Sequence, residues 1–253
     1  MIFDLQKAPI LKRASAWLLD FILLCILITG FAFALSAITG YDNYATALAD
    51  AQDNYEQQYG VSFDISQADF NALSQEDRDK INQAYAKFSE DEQVIYLYNV
   101  QLNLILLISS VSILLAYVVL EFVLPLIFGN GQTVGKKIFG IALMQTNGVK
   151  LSPLSLFART ILGKYTLETM VPVFVLIMIV FADLGLTGTV ILLLMLTLQI
   201  GLMIITRTNS CIHDLLAGSV AVDLASQMIF DSESAMIEYK KSIHAEQAKE
   251  ARY

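Results

Sequence analysis

At 253 residues, 56% hydrophobic and only 16% charged, the chain falls well short of the roughly one-quarter charged residues of a soluble domain. Its apolar residues gather into runs able to cross a bilayer, which takes about 20 residues of helix. An ordinary soluble enzyme is excluded, and an all-α membrane protein with four transmembrane helices is expected. The net charge of −8 is uneven: residues 41–93 hold twelve acidic against three basic residues, and the remainder twelve against thirteen.

Residues 1–40 carry Lys7, Lys12 and Arg13 and then the first expected span, Ala14 to Ile38. A basic start before an apolar run also resembles a secretory leader, with "AFA" and "LSA" as cleavage sites. The run is long for a leader, so an uncleaved anchor is expected. Residues 41–93 form an acidic insert without proline, expected to be a small helical lobe outside the cytoplasm. In "SQEDRDKINQAYAKF", Ser74 and Asp77 make a capping-box arrangement, and Ile81, Tyr85 and Phe88 share one face. "DNYATALADAQDNYEQQY" is expected to continue the first helix until Gly60 breaks it.

Residues 94–128 contain the second span, Val100 to Phe128. Residues 129–165 change character. "KIFGIALMQ" and "VKL" flank Asn147-Gly148, which predicts a cytoplasmic β-hairpin with a type I′ turn. Ser152 and Pro153 then start "PLSLFARTILGK" as helix cap and first-turn residue. Its apolar Leu156, Ile161 and Leu162 set against Arg159 and Lys164 predict an amphipathic helix lying in the membrane interface. Residues 166–206 hold the third span, Thr166 to Phe181 with Pro172, and the fourth, Gly188 to Thr206, joined by a tight turn at Asp183. Residues 207–225 include "CIHDLLAGSVAVDL", whose "SVAVDL" is expected to join the hairpin as a strand. Residues 226–253 read as a solvated, mixed-charge helical tail.

Lysine and arginine flanking the spans set orientation. Lys7, Lys12 and Arg13 precede the first span; Lys136, Lys137, Lys150, Arg159 and Lys164 lie between the second and third; Arg207 follows the fourth. Both termini are therefore expected in the cytoplasm of a multi-pass cell-membrane protein. Cys25 and Cys211 are not expected to form a disulfide.

Three separated stretches carry a family resemblance: Arg13 with Asp20 in the first helix, "GQTVGKKIFGI" after the second, and Arg207 with "HDLLAGSVAV", containing Asp214. Together they resemble the RDD family of integral membrane proteins, named for one arginine and two aspartates. The acidic insert departs from the shorter loop common in that family. The resemblance implies transport, with cation–proton exchange as one form of it.

Charges inside a membrane segment are costly and mark functional positions by default. Asp20 and Glu121, the deepest, are the expected ion or proton site. Arg13 is shallow and is expected to pair with Asp214 as structure. Arg207, His213, Lys136 and Lys137 are further structural ion-pair candidates, with Arg207 or a lysine of "GKK" facing Asp20 and Glu121. Two histidines without a Cys/His cluster give no metal site, "GNGQTVGK" is no phosphate loop, and no nucleophile motif appears. An enzyme and a cofactor are therefore not expected. Expected partners are the bilayer and anionic headgroups at the cytoplasmic face, not nucleic acid. The expected function is transport of a small cation or solute, which four helices would need a homo-oligomer to enclose. The alternative is a non-transporting scaffold or assembly factor that holds a membrane partner.

Orientation is tested by cysteine labelling of intact cells, with Cys25 and Cys211 replaced by serine. An impermeant reagent should label Ser74→Cys and leave Asn147→Cys untouched, and the reverse pattern would sink the assignment.

Overall fold

The computed structural model describes residues 5–181 and 184–250. The chain divides into two units, Thr29–Ser112 and the combination of Met1–Ile28 with Ile113–Tyr253. Among the described residues, four helices are long and apolar enough to cross a membrane: Ile10–Thr39, Glu92–Phe128, Pro153–Ile179 and Gly185–Ile205. The expected Asp183 turn lies outside the described residues.

Helix α1 (Ile10–Thr39) stops at Gly40, whose left-handed φ of 68° separates it from α2 (Tyr41–Tyr59). The predicted continuous helix is thus broken one glycine earlier than Gly60, which in turn caps α2 at φ 61°. A residue with a Cβ would be strained in that conformation. Helices α3 (Gln67–Ala72) and α4 (Gln75–Glu90) follow, then α5 (Glu92–Tyr117). Ser74 caps α4 by accepting from the Asp77 N–H, and its hydroxyl donates back to the Asp77 carboxylate. The inward face of α4 is set by Ala84, fully buried, while Tyr85 is exposed at its flank. Tyr55 donates to Asp91 (2.8 Å) to tie α2 to the end of α4.

In the other unit, α5 passes through a π-helical stretch, Val118–Val123, into α6 (Leu124–Phe128). A short α7 (Val134–Ile138) leads to β1 (Ile141–Gln145). Next, α8 (Pro153–Phe157) runs without interruption through a second π-helical stretch, Ala158–Met170, into α9 (Val171–Phe181). The expected separate interfacial helix is therefore the first half of the third span. After α10 (Gly185–Ile205) come α11 (Ile212–Ala217), β2 (Ser219–Asp223) and α12 (Glu233–Glu250).

Strand β1 pairs antiparallel with β2, Leu143 opposite Ala221. Alternation sends Ile141, Leu143 and Ala221 to one face, against Ala8 and Ala16, and Ala142, Met144, Val220 and Val222 to the other. Both faces are buried, so the register is held from two sides. The "VKL" arm is held by isolated bridges, Lys150 to Met144 and Val149 to Phe230. Of the turn residues only Gly148 has positive φ (94°), which fits a three-residue loop ending in a left-handed glycine and not the predicted type I′ turn. The tail is anchored, because Met236 and Tyr239 of α12 pack on Val149 and Phe230.

The π-helical stretches have a shared cause in the sequence. Each ends two residues before a proline, Pro125 or Pro172. Proline has no N–H, so the carbonyl four residues earlier loses its donor. In the second span that carbonyl belongs to Glu121, and the Thr160 hydroxyl donates to it (2.9 Å). Membrane helices tolerate proline through such substitutions. Thr160 is fully buried, so Thr160→Val strands the carbonyl and should cost about 1–3 kcal/mol. Denaturant unfolding in detergent micelles checks this, with no loss expected for the exposed Thr197→Val.

Candidate functional site

A cavity of about 410 Å³ opens among α1, the two π-helical stretches, α7 and α11. Its wall carries four carboxylates, Asp20, Glu121, Glu168 and Asp214, and four basic side chains, Arg13, Lys136, Arg159 and Lys164. The formal charges cancel. That balance is what a low-dielectric site demands, since an unmatched buried charge is costly.

Asp20 is held by the "GQTVGKK" segment. Thr133 caps α7, and its hydroxyl donates to Asp20 Oδ2 while the Gly135 N–H donates to Oδ1 (2.7 Å). A Cβ at Gly135 would collide with the Ala16 carbonyl and the Asp20 carboxyl, so glycine is what lets α7 lie against α1. Lys136 Nζ stands 3.6 Å from Asp20 and 3.7 Å from Glu121, bridging the two expected site carboxylates. Burial lowers the Lys136 ammonium to about 8, although Glu121 and Asp20 favour its charged form. Glu121 is also ion-paired to Lys164.

Asp214 forms the second cluster. Arg159 Nε and Nη2 donate to its Oδ1 (3.0 and 2.9 Å), and the Ser219 hydroxyl donates to the same oxygen (2.8 Å). Burial would push this carboxyl up, but Arg159, His213 and Ser219 outweigh it and hold it below the usual carboxylate range. His213 Nδ1 meets Glu168 Oε2 (2.7 Å), and Nε2 lies 3.5 Å from Asp214 Oδ2. Burial pushes the imidazole below its ordinary range, with Asp214 and Glu168 opposing. Gly163 permits this contact, because a Cβ there would collide with the His213 backbone and Cβ.

The expected Arg13–Asp214 pair does not form; Asp214 belongs to Arg159. Arg159 is buried at 3% exposure, whereas Arg13 is partly exposed at the cavity mouth. Asp20 and Glu121 do share one site, through a lysine of "GKK". Lys137 instead lies over the Phe128 ring (4.0 Å). Arg207 offers its carbonyl to Lys7 Nζ (3.2 Å) and is not part of the cavity wall. Arg159, Lys164 and Glu168 were not expected here. A sequence signal for one of them exists: "EFVLP" and "ETMVP" place Glu121 and Glu168 each four residues before a proline.

The family model described as the RDD family matches residues 7–218, a range that holds all eight charged residues of the cavity. No curated protein and no solved structure matches the chain.

Removing one partner of a buried pair leaves a bare charge, so Asp214→Ala should destabilise the protein by about 3–5 kcal/mol. Arg13→Ala removes a partly exposed cation at the cavity mouth, where water screens the charge, and should cost less, about 1 kcal/mol or below. Chemical unfolding of both variants in micelles decides between these, and the reverse order would restore Arg13 as the partner of Asp214.

Proposed function

The chain belongs to the RDD family, a multi-pass integral membrane protein, and on that premise we propose that it moves a small cation or solute through the cavity, exchanging a cation for a proton. One observation carries the reading: Lys136 is buried between Asp20 and Glu121 in a site whose charges already cancel. A cation added to such a site creates an excess positive charge, which the low dielectric penalises. The balance is kept if one proton leaves. Lys136, lowered to about 8, is the cation that gives up a proton near physiological pH, since arginine holds its own far above that.

In this scheme the cation approaches Glu121 and Lys136 releases its proton to water. Neutral Lys136 then serves as a donor and lone-pair group beside the bound ion. Departure of the cation lets Lys136 take up a proton again, and no net charge is stored. Asp20, anchored by Thr133 and Gly135, orients Lys136; Glu121 is the carboxylate that meets the cation. The Arg159–Asp214 and His213–Glu168 pairs frame the site. The lysine and arginine distribution supports a cytoplasmic opening in the cell membrane.

Reconstitution into sealed liposomes with opposed sodium and pH gradients tests the scheme. Sodium-dependent proton flux is expected, rising as the pH passes through about 8 and the Lys136 proton becomes easier to release. Lys136→Arg keeps the charge but not the exchangeable proton, and should abolish flux in a folded protein. Flux unchanged in that variant, or absent from the wild type, overturns the exchange mechanism; absence in the wild type favours the scaffold.

A further inference from the structure

Arg13 is the charged residue of the cavity wall that no other group claims. The four carboxylates take their ion pairs from Lys136, Lys164, Arg159 and His213. Among the described residues the Arg13 guanidinium makes no hydrogen bond and no ion pair, and each of its nitrogens keeps surface open to solvent. It stands partly exposed at the mouth, within reach of a ligand from outside. The first turn of α1 holds no acidic side chain, so the positive end of that helix adds to the field of Arg13.

The surface beside Arg13 is apolar. Arg13, Trp17, Phe21 and Leu24 recur at helical spacing, share one face of α1 and all line the cavity. The Trp17 and Phe21 rings stack at 5.5 Å. They are 63% and 48% exposed, and on a membrane-spanning helix such exposed rings meet lipid. The cavity is therefore continuous with the lipid-facing side of α1. From Arg13 to Leu24 the stripe runs about 16 Å along the helix axis. Helix α1 has 30 residues, or about 45 Å of helix against about 30 Å of hydrocarbon. Arg13, its fourth residue, falls in the headgroup layer.

A guanidinium at headgroup depth above a strip of aromatic and aliphatic surface matches the two parts of a phospholipid. A free phosphate gains nothing from the strip. A zwitterionic headgroup carries an ammonium that competes with Arg13 for its own phosphate, and an anionic headgroup has no such competitor. In the wet headgroup layer the phosphate is screened, so it adds no unmatched charge to the buried network.

We infer that the cavity mouth binds one anionic phospholipid, its phosphate accepting hydrogen bonds from Arg13 and an acyl chain lying along Trp17, Phe21 and Leu24. Arginine suits the role, because its planar fork meets phosphate with two parallel donors. The site is separate from the exchange scheme, which uses Glu121 and Lys136 and stands or falls on its own flux measurement.

Trp17 is the sole tryptophan of the chain, so its fluorescence reports lipid at this place. The full-length protein is reconstituted into phosphatidylcholine bilayers in which a small share of the lipid carries brominated acyl chains, which quench tryptophan on contact. Brominated phosphatidylglycerol should quench with about fivefold higher affinity than brominated phosphatidylcholine, the gain of one basic side chain against an anionic lipid. Arg13→Gln should bring the two headgroups level and leave quenching by phosphatidylcholine unchanged. Lys150→Gln removes the same charge from outside the cavity wall and should keep the preference. The wild-type comparison needs no variant, so it decides the matter even where Arg13→Gln fails to fold. Equal quenching by both headgroups in the wild type overturns the inference. A preference that survives Arg13→Gln, or is lost in Lys150→Gln, assigns the lipid to general surface charge and overturns it too. Glycerol phosphate in the aqueous phase should leave the quenching in place; displacement by it would make this a site for free phosphate and remove the lipid.

Discussion

Burying charge between membrane-spanning helices is the constraint on which the rest of this structure depends. Each ion moved into the low dielectric pays a desolvation cost that only close, well-oriented counter-charges offset. The four carboxylates and four cations of the cavity meet that demand collectively. They also explain why segments distant in sequence must converge. Asp20 in the first span needs the start of α7, and Asp214 after the fourth span needs Arg159 in the third. The two-stranded sheet closes the same arrangement, since β1 follows α7 and β2 follows α11.

Backbone irregularity is tied to the same place. Pro125 and Pro172 each remove a backbone donor opposite a glutamate, and the helix responds with a π-helical stretch on either side of the cavity. Such widened turns cluster at functional positions in other proteins. Here the local reason is plain for Glu121, whose carbonyl is served by a threonine of the neighbouring span. Glycines complete the fit at the two closest approaches, Gly135 against α1 and Gly163 against α11.

The polar residues separate into locked and unlocked groups. Asp20 and Asp214 accept several directed bonds and act as clasps. Glu121 and Arg159 each retain a polar atom without a hydrogen-bond partner, and Lys136, whose ammonium donates to the Thr133 hydroxyl (3.0 Å), sits between two acids at longer range. A network built only to hold helices together gains nothing from such open valences.

Hydropathy alone determined the four spans, because a run of apolar residues long enough to cross a bilayer has no other economical fold, and the capping signals at Ser74, Ser152 and Gly60 act within one turn of chain. Asp20 and Glu121 were legible as buried acids for the same reason: a charge in an apolar run is conspicuous. Partner choice was not legible. Arg13 and Arg159 are equivalent on charge, and only the packing of α11 on the third span, through Gly163, puts Arg159 beside Asp214. Likewise "PLSLFARTILGK" has the periodicity of an interfacial helix, and nothing local shows that its polar face turns inward to meet Glu121. The distant "SVAVDL" was legible as a strand joining the hairpin, but that it, and not the nearby "VKL" arm, pairs with β1 along its length follows from the burial of both sheet faces. Local propensity and hydropathy act over a few residues and are written in the sequence directly, whereas the pairing of charges across helices depends on which backbones can approach, and that only the tertiary structure decides.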